Sequence, residues 1–83
     1  MGRTSATGRT NGVRRARLLA ELTQAELAAG AGVTRPTIVA VEAGDYAPSV
    51  YLALAIAGRL HSTVEELFGE KATTLAANAQ EGT

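Results

Sequence analysis

The chain has 83 residues, with eight Lys and Arg against eight Asp and Glu, and no cysteine. This length allows one small domain, and the lack of cysteine excludes disulfides and thiolate metal sites. The longest apolar run, VYLALAIAG at residues 50–58, is well short of the roughly 20 residues that a membrane span requires. MGRTSA fits neither an export nor a lipidation signal, so we predict a cytoplasmic protein without a membrane partner.

Charge is unevenly distributed along the chain. Residues 1–35 hold six arginines against two glutamates, a net charge of +4, and residues 36–83 carry a net charge of −4. A basic N-terminal half favours an anionic partner such as DNA. A chance imbalance on a solvated surface is the alternative.

The first third of the chain reads as an arm followed by two helices. Residues 1–12, MGRTSATGRTNG, are almost free of apolar residues and predict a flexible basic arm. The apolar period that follows predicts a helix over about 13–20. Thr23 and Glu26 have the spacing of a capping box, which predicts a second helix over about 24–31.

A tight turn and a third helix come next. Gly32 can take the left-handed conformation that ends a helix, and Gly44 is the next residue of this kind. Pro36 is favoured at the first helical position and drives the preceding Arg35 toward an extended conformation. We therefore predict a third helix over 36–43.

The remaining residues predict two more helices and a tail. Ser49 is placed to cap a fourth helix that runs to Leu60, and a second capping box at Thr63 predicts a short fifth helix over 64–68. Residues 69–83 have no sustained period, and we expect them to be disordered. Five short helices without a strand signal predict an all-α bundle.

The second and third helices have the composition of a helix-turn-helix unit. Ala28 is small where two steeply crossing helices approach, Gly32 lies in the turn, and Ile38 and Val41 are branched apolar residues at three-residue spacing. Two ordinary packed helices are the alternative.

Residues 13–68 resemble the Cro and phage-repressor type of helix-turn-helix transcription regulators, the xenobiotic-response-element (XRE) group, and especially its short single-domain bacterial members. The resemblance is carried by TQAELAAGAGVTRPTIVAVEAG, APSVYLALAIAGRL and STVEELF. It implies a lambda-repressor-like five-helix domain over 13–68 that binds double-stranded DNA as a homodimer and represses transcription. We expect no cofactor or small-molecule substrate, and a single histidine without cysteine argues against an enzyme.

The resemblance also implies which residues meet DNA. It makes the third helix the recognition helix, whose first residues lie on base edges in the major groove. The residues implied as contacts in and before this helix, or at the start of helix two, are Gln24, Thr34, Arg35, Pro36, Thr37 and Ala40. Arg14 and Arg15, at the start of helix one, are expected on phosphates. The alternatives are a solvated surface arginine at position 35 and a simple helix cap at position 34.

The chain departs from the family where bases are read. Pro36 and Ala40 occupy reading positions, the former in place of a common Gln, and Asp45 replaces a Lys or Arg that approaches phosphate. Base reading is therefore expected to be sparse, with Pro36, Val39 and Ala40 limited to apolar contact with thymine methyl groups.

Two further pairs of residues follow from the resemblance. Arg17 and Glu42 match the family positions that form a buried ion pair. Glu21 and His61 stand where the family prefers a helix-ending glycine, so strain is expected at both corners. His61 is otherwise expected to be a turn residue and not a ligand.

The fourth helix suggests a surface for another protein. Tyr51, Ala55 and Gly58 lie on one side of it, and the candidates for a dimer interface are Tyr51, Ala55, Leu67 and Phe68. An exposed face without a partner is the alternative. The rival function is an antitoxin-like or other protein-interaction module in which a partner protein binds this chain and DNA binding is secondary.

Overall fold

The computed structural model describes residues 11–69, and this part of the chain contains five α-helices and no strand. The helices are α1 (Val13–Leu19), α2 (Gln24–Ala31), α3 (Arg35–Ala43), α4 (Val50–Arg59) and α5 (Val64–Phe68). The predicted all-α bundle is confirmed, and each helix begins and ends within one residue of its predicted position. Among the described residues no helix is long and apolar enough to cross a membrane.

One apolar core joins the helices. α2 is central to it, since it packs against both α3 and α4. The largest side chains without exposed surface come from α1 to α4 and are Leu27, Ile38, Ile56, Val13 and Val41. Each such burial stabilises the fold by about 1.5–3 kcal/mol relative to an exposed side chain. The core therefore fixes the outward side of every helix, including that of α3.

Capping side chains set where three of the helices begin. In the predicted box of α2, Thr23 Oγ1 accepts from the Glu26 backbone N–H at 3.0 Å, and Glu26 Oε1 accepts from the Thr23 N–H at 2.8 Å. The second predicted box, at Thr63, is also present. Ser49 Oγ accepts from the Leu52 N–H at 3.0 Å and opens α4. Each cap satisfies a backbone donor that the helix leaves without an internal partner.

The first four helices end in the same backbone geometry. One residue with positive φ follows each helix, and the next N–H bonds to the carbonyl five residues earlier. The positive-φ residues are Glu21 (φ 59°), Gly32 (77°), Gly44 (79°) and His61 (54°). The backbone N–H of the residue after each of these donates to a carbonyl in the preceding helix. The four bonds are Leu22 to Arg17, Val33 to Ala28, Asp45 to Ala40 and Ser62 to Ala57. The two corners expected to be strained therefore do take the left-handed conformation.

The folded unit includes Asn11 and Gly12, which precede the predicted boundary at residue 13. Asn11 Oδ1 accepts from the Val13 N–H at 3.0 Å, and its Nδ2 donates to the carbonyl of Val41 on α3 at 2.8 Å. The Gly12 N–H donates to the carbonyl of Leu67 at 2.8 Å. Asn11 and Gly12 thus belong to the domain and not to the predicted arm. The rest of that arm, and the predicted tail beyond Gly69, lie outside the described residues.

Candidate nucleic-acid interface

α3 begins one residue earlier than predicted. Its first residue is Arg35, and the extended residue before it is Thr34, with φ −89° and ψ 159°. The prediction that Arg35 is extended and Pro36 is the first helical residue is therefore wrong. Because the first N–H groups of any helix lack a carbonyl partner within it, the missing N–H of Pro36 costs nothing at the second position either.

The outward side of α3 is apolar except at one residue. Ile38 and Val41 are fully buried on the inward side. The outward and flanking positions are Arg35, Pro36, Val39, Ala40 and Ala43, of which Ala40 is half-buried and the others are exposed. Only Arg35 among them has a side chain that donates hydrogen bonds. A DNA groove on this side would thus meet a single forked donor and otherwise carbon surface.

A buried ion pair fastens α3 to α1. Arg17 Nε lies 2.6 Å from Glu42 Oε2, and Arg17 Nη2 donates to Glu42 Oε1 at 3.2 Å. The third contact of the guanidinium runs from Nη1 to the carbonyl of Leu22 at 2.9 Å. The Arg17 and Glu42 side chains are only 9% and 4% exposed. The pair implied by the resemblance is therefore present, with the two-pronged geometry that suits a guanidinium and a carboxylate.

The ion pair continues into a chain of hydrogen bonds that ends at Arg35. Gln24, the first residue of α2, donates from Nε2 to Glu42 Oε1 at 3.1 Å. Since a carboxylate only accepts, the Gln24 amide nitrogen faces Glu42 and its oxygen faces the other way. There, Gln24 Oε1 accepts from Arg35 Nη2 at 3.1 Å. Two of the predicted DNA contacts are thus joined to each other, which the sequence did not indicate.

The two predicted threonines lie next to Arg35 in the sequence, Thr34 directly before it and Thr37 two residues after it. Thr34 Oγ1 and Thr37 Oγ1 are 3.2 Å apart, Thr34 being exposed and Thr37 half-buried. The Thr34 side chain makes no capping bond to the start of α3. The alternative that Thr34 serves only as a cap therefore lacks the hydrogen bond that would define it.

The remaining basic candidates are on α1. Arg14 and Arg15 are both exposed in its first turn. Asn11 Nδ2 donates to the carbonyl of Val41 near the end of α3, so the start of α1, where both arginines lie, is fixed to α3.

The structure corrects the candidate dimer interface. Leu67 is 2% exposed and packs in the core of its own domain, so its side chain is not available to a partner. Phe68 and Ala55 are half-buried, and Phe68 packs against the same core. Tyr51, by contrast, is 83% exposed.

Two exposed apolar residues of α4 were missed. Val50 and Leu54 are 70% and 55% exposed and lie beside Tyr51. Nearly every residue of α4 is apolar, so the spacing of apolar residues cannot separate its buried side from its exposed one. We call Val50, Tyr51 and Leu54 the α4 surface.

The fold is that of a helix-turn-helix domain. A family described as helix-turn-helix matches residues 13–67, more than half of the chain. The chain therefore belongs to the helix-turn-helix family of the Cro and phage-repressor (XRE) type.

Three relatives carry the description "Uncharacterized HTH-type transcriptional regulator". One from Methanothermobacter thermautotrophicus is 54% identical over 50 residues, which cover 57% of this chain and 70% of the relative. One from Methanocaldococcus jannaschii is 46% identical over 52 residues, which cover 63% of this chain and 79% of the relative. One from Bacillus subtilis is 44% identical over 45 residues, which cover 54% of this chain and 68% of the relative. The relatives include archaeal proteins, so the expected restriction to bacteria is not confirmed.

Proposed function

We propose that this chain is a homodimeric, sequence-specific repressor of transcription that acts in the cytoplasm and inserts α3 into the major groove of DNA. DNA-binding regulation of transcription is the function that the family and its named relatives support. The observation that carries the finer proposal is the start of α3, where an exposed Arg35 extends from the first helical turn beside Gln24.

Two helix starts meet at this point. Gln24 is the first residue of α2 and Arg35 the first of α3, and their side chains are hydrogen-bonded at 3.1 Å. The positive ends of both helix dipoles therefore lie close together, next to a guanidinium. Such an arrangement favours a phosphate near Gln24 and Thr34 while α3 enters the groove.

The distribution of charge supports this orientation better than its total does. The described residues contain five arginines and six acidic residues, so net charge alone does not draw the domain to DNA. However, Arg14 and Arg15 lie in the first turn of α1 and Arg35 in that of α3, and neither first turn holds an acidic residue. Placement of the arginines, together with Arg3 and Arg9 of the chain's first residues, would supply the attraction.

A homodimer is the proposed assembly because one such domain covers only half of a palindromic operator. Two copies related by a two-fold axis would read half-sites about 34 Å apart. The proposed contact between them is the α4 surface, together with the half-buried Ala55 and Phe68.

The α4 surface also favours a second candidate function. Three neighbouring apolar side chains that are at least 55% exposed suit a protein partner. An antitoxin-like or other interaction module would use this surface for a different protein and bind DNA secondarily. The two functions are compatible in one chain, since α3 and the α4 surface are different parts of the domain.

Selection from a random duplex pool with the full chain tests the main proposal. We expect enrichment of a palindrome and, in sedimentation, two protomers on each selected duplex. Tyr51→Glu should abolish the dimer, whereas Leu19→Glu, at a 76% exposed leucine of α1, should not. A pool without any enriched sequence would contradict DNA reading. A monomer on an asymmetric site would contradict the dimer alone, and would leave the α4 surface to another partner.

A further inference from the structure

Val39 is an apolar side chain on the outward side of the recognition helix. It is 40% exposed, although its neighbour Ile38 has no exposed surface. Its branched Cβ leaves one strongly preferred rotamer in a helix, so its two methyl groups have a fixed direction. Val39 comes one turn after Arg35, on the same side of α3 and about 6 Å further along the axis.

The major groove offers such a side chain few apolar partners. Guanine, adenine and cytosine present hydrogen-bonding nitrogen and oxygen atoms there, and thymine adds a methyl group at C5. A base acceptor covered by valine loses its water and gains no hydrogen bond, which is unfavourable. A methyl group at the same place removes apolar surface from water on both sides. The pyrimidine C5 methyl is therefore the complementary group.

Arg35 sets the register of this contact. Gln24 takes one of the five N–H donors of Arg35, and the guanidinium stays exposed, so its fork is free to grip guanine O6 and N7. Base pairs follow one another every 3.4 Å or so along the DNA axis, hence the separation of about 6 Å between the two residues along α3 spans at most about two base steps.

We infer that Val39 reads the C5 methyl group of a thymine, or of a 5-methylated cytosine, within about two base pairs of the guanine bound by Arg35. This inference rests on the proposed function and names the chemistry by which its DNA sequence is chosen. The helix selects a pyrimidine methyl beside a guanine, instead of a series of hydrogen-bonded bases.

Replacement of each thymine of the selected duplex by deoxyuridine tests this, because uracil lacks only the methyl group. Affinities are measured with the full chain at one salt concentration. At one thymine per half-site, within about two base pairs of the preferred guanine, the affinity should fall about fourfold, the equivalent of ~0.8 kcal/mol for one buried methyl. If cytosine is placed there instead, its 5-methylation should raise the affinity by a similar factor.

Two variants assign the effect to a side chain. Val39→Ala should make the protein indifferent to the thymine methyl, whereas Leu19→Ala, a truncation at an exposed leucine of α1 outside the α4 surface, should keep the full penalty. A guanine preference with uracil tolerated at every position would overturn the inference and leave DNA binding intact. A penalty that persists in Val39→Ala would overturn the role of Val39. A pool without any enriched sequence would overturn both the inference and the proposed function.

Discussion

The helix-turn-helix unit and the helices that flank it end in the same geometry but with different residues. α2 and α3 end at Gly32 and Gly44, which take positive φ without a Cβ clash. The corners after α1 and α4 are formed by Glu21 and His61, which also take positive φ, at a cost of about 1–2 kcal/mol each. The residue types at the corners thus suit the left-handed backbone conformation after α2 and α3, and they disfavour it after α1 and α4. The flanks are held by tertiary contacts instead.

The ion pair between Arg17 of α1 and Glu42 of α3 joins these two regions. Its loss is expected to have the largest effect on the fold. Arg17→Ala or Glu42→Ala leaves the other charge buried without its partner, which typically costs about 3–5 kcal/mol. Since small domains have only about 5–15 kcal/mol of stability, either variant should be largely unfolded at moderate temperature in a thermal melt followed by circular dichroism.

Two controls separate burial from charge in this prediction. Arg14→Ala removes an exposed arginine of the same helix and should change stability by no more than about 0.5 kcal/mol. Arg17→Met combined with Glu42→Leu removes both charges together and should recover most of the loss, because buried pairs are often replaceable by apolar residues. If either single alanine variant keeps the melting temperature of the unchanged protein, the ion pair does not stabilise the packing of α1 against α3.

The helices themselves were predictable because their signals are local. Capping boxes at Thr23 and Thr63 and the glycine corners at Gly32 and Gly44 each lie within a few residues of the helix end that they specify. Glu21 and His61 were identified only by comparison with a family that has glycine there, because neither residue type indicates a left-handed corner by itself.

Apart from the ion pair between Arg17 and Glu42, which the resemblance to the family implied, contacts between distant residues had no such signal. The bond from Asn11 to Val41 spans 30 residues, and the burial of Leu67 depends on how α5 meets the core. The bond between Gln24 and Arg35 likewise depends on the crossing of α2 and α3. The sequence therefore indicated which residues belong to the candidate site, and not how they are joined or which side of α4 is exposed.

Within the unit, Arg35 is expected to affect DNA sequence preference and not stability. Arg35→Ala should remove about 1–3 kcal/mol of preference for guanine at one base pair per half-site. The melting temperature should stay constant because the side chain is exposed. Arg59→Ala, at an exposed arginine of α4, should leave the base preference intact. Binding of the variants to duplexes that differ at each base pair measures both.

Deletion of residues 1–10 completes the test of Arg35. It removes Arg3 and Arg9 but keeps Asn11, whose hydrogen bonds belong to the fold. Affinity should fall for all sequences alike, and the slope of log affinity against log salt should decrease by about two units. If the deletion changes base preference while Arg35→Ala lowers affinity uniformly, the two roles are reversed.

Asp45 is a residue of this region that opposes the proposed function. It is exposed directly after the corner of α3, where a carboxylate would repel phosphate. Asp45→Lys should raise affinity for all duplexes severalfold and steepen the salt dependence by about one unit, without a change in base preference. Asp45→Asn should give about half of this gain. If neither variant alters the salt dependence, Asp45 does not approach the DNA backbone.

The smallest expected effects come from exchanging residues between the two kinds of corner. Glu21→Gly and His61→Gly should each stabilise the domain by about 0.5–1 kcal/mol, because relief of about 1–2 kcal/mol of strain exceeds the entropy that glycine adds to the unfolded chain. For a domain of this size this corresponds to a rise in melting temperature of roughly 2–8 °C. Glu21→Ala keeps the Cβ and should not stabilise, so an equal gain from alanine would assign the effect to the carboxylate. Gly32→Ala is the reciprocal change, and since a Cβ there meets nothing within 4 Å, its loss of stability measures the backbone term alone. If Gly32→Ala lowers the free energy of unfolding by as much as Glu21→Gly raises it, the corners differ only in residue type, and the strain after α1 and α4 arises because Glu21 and His61 are not glycines.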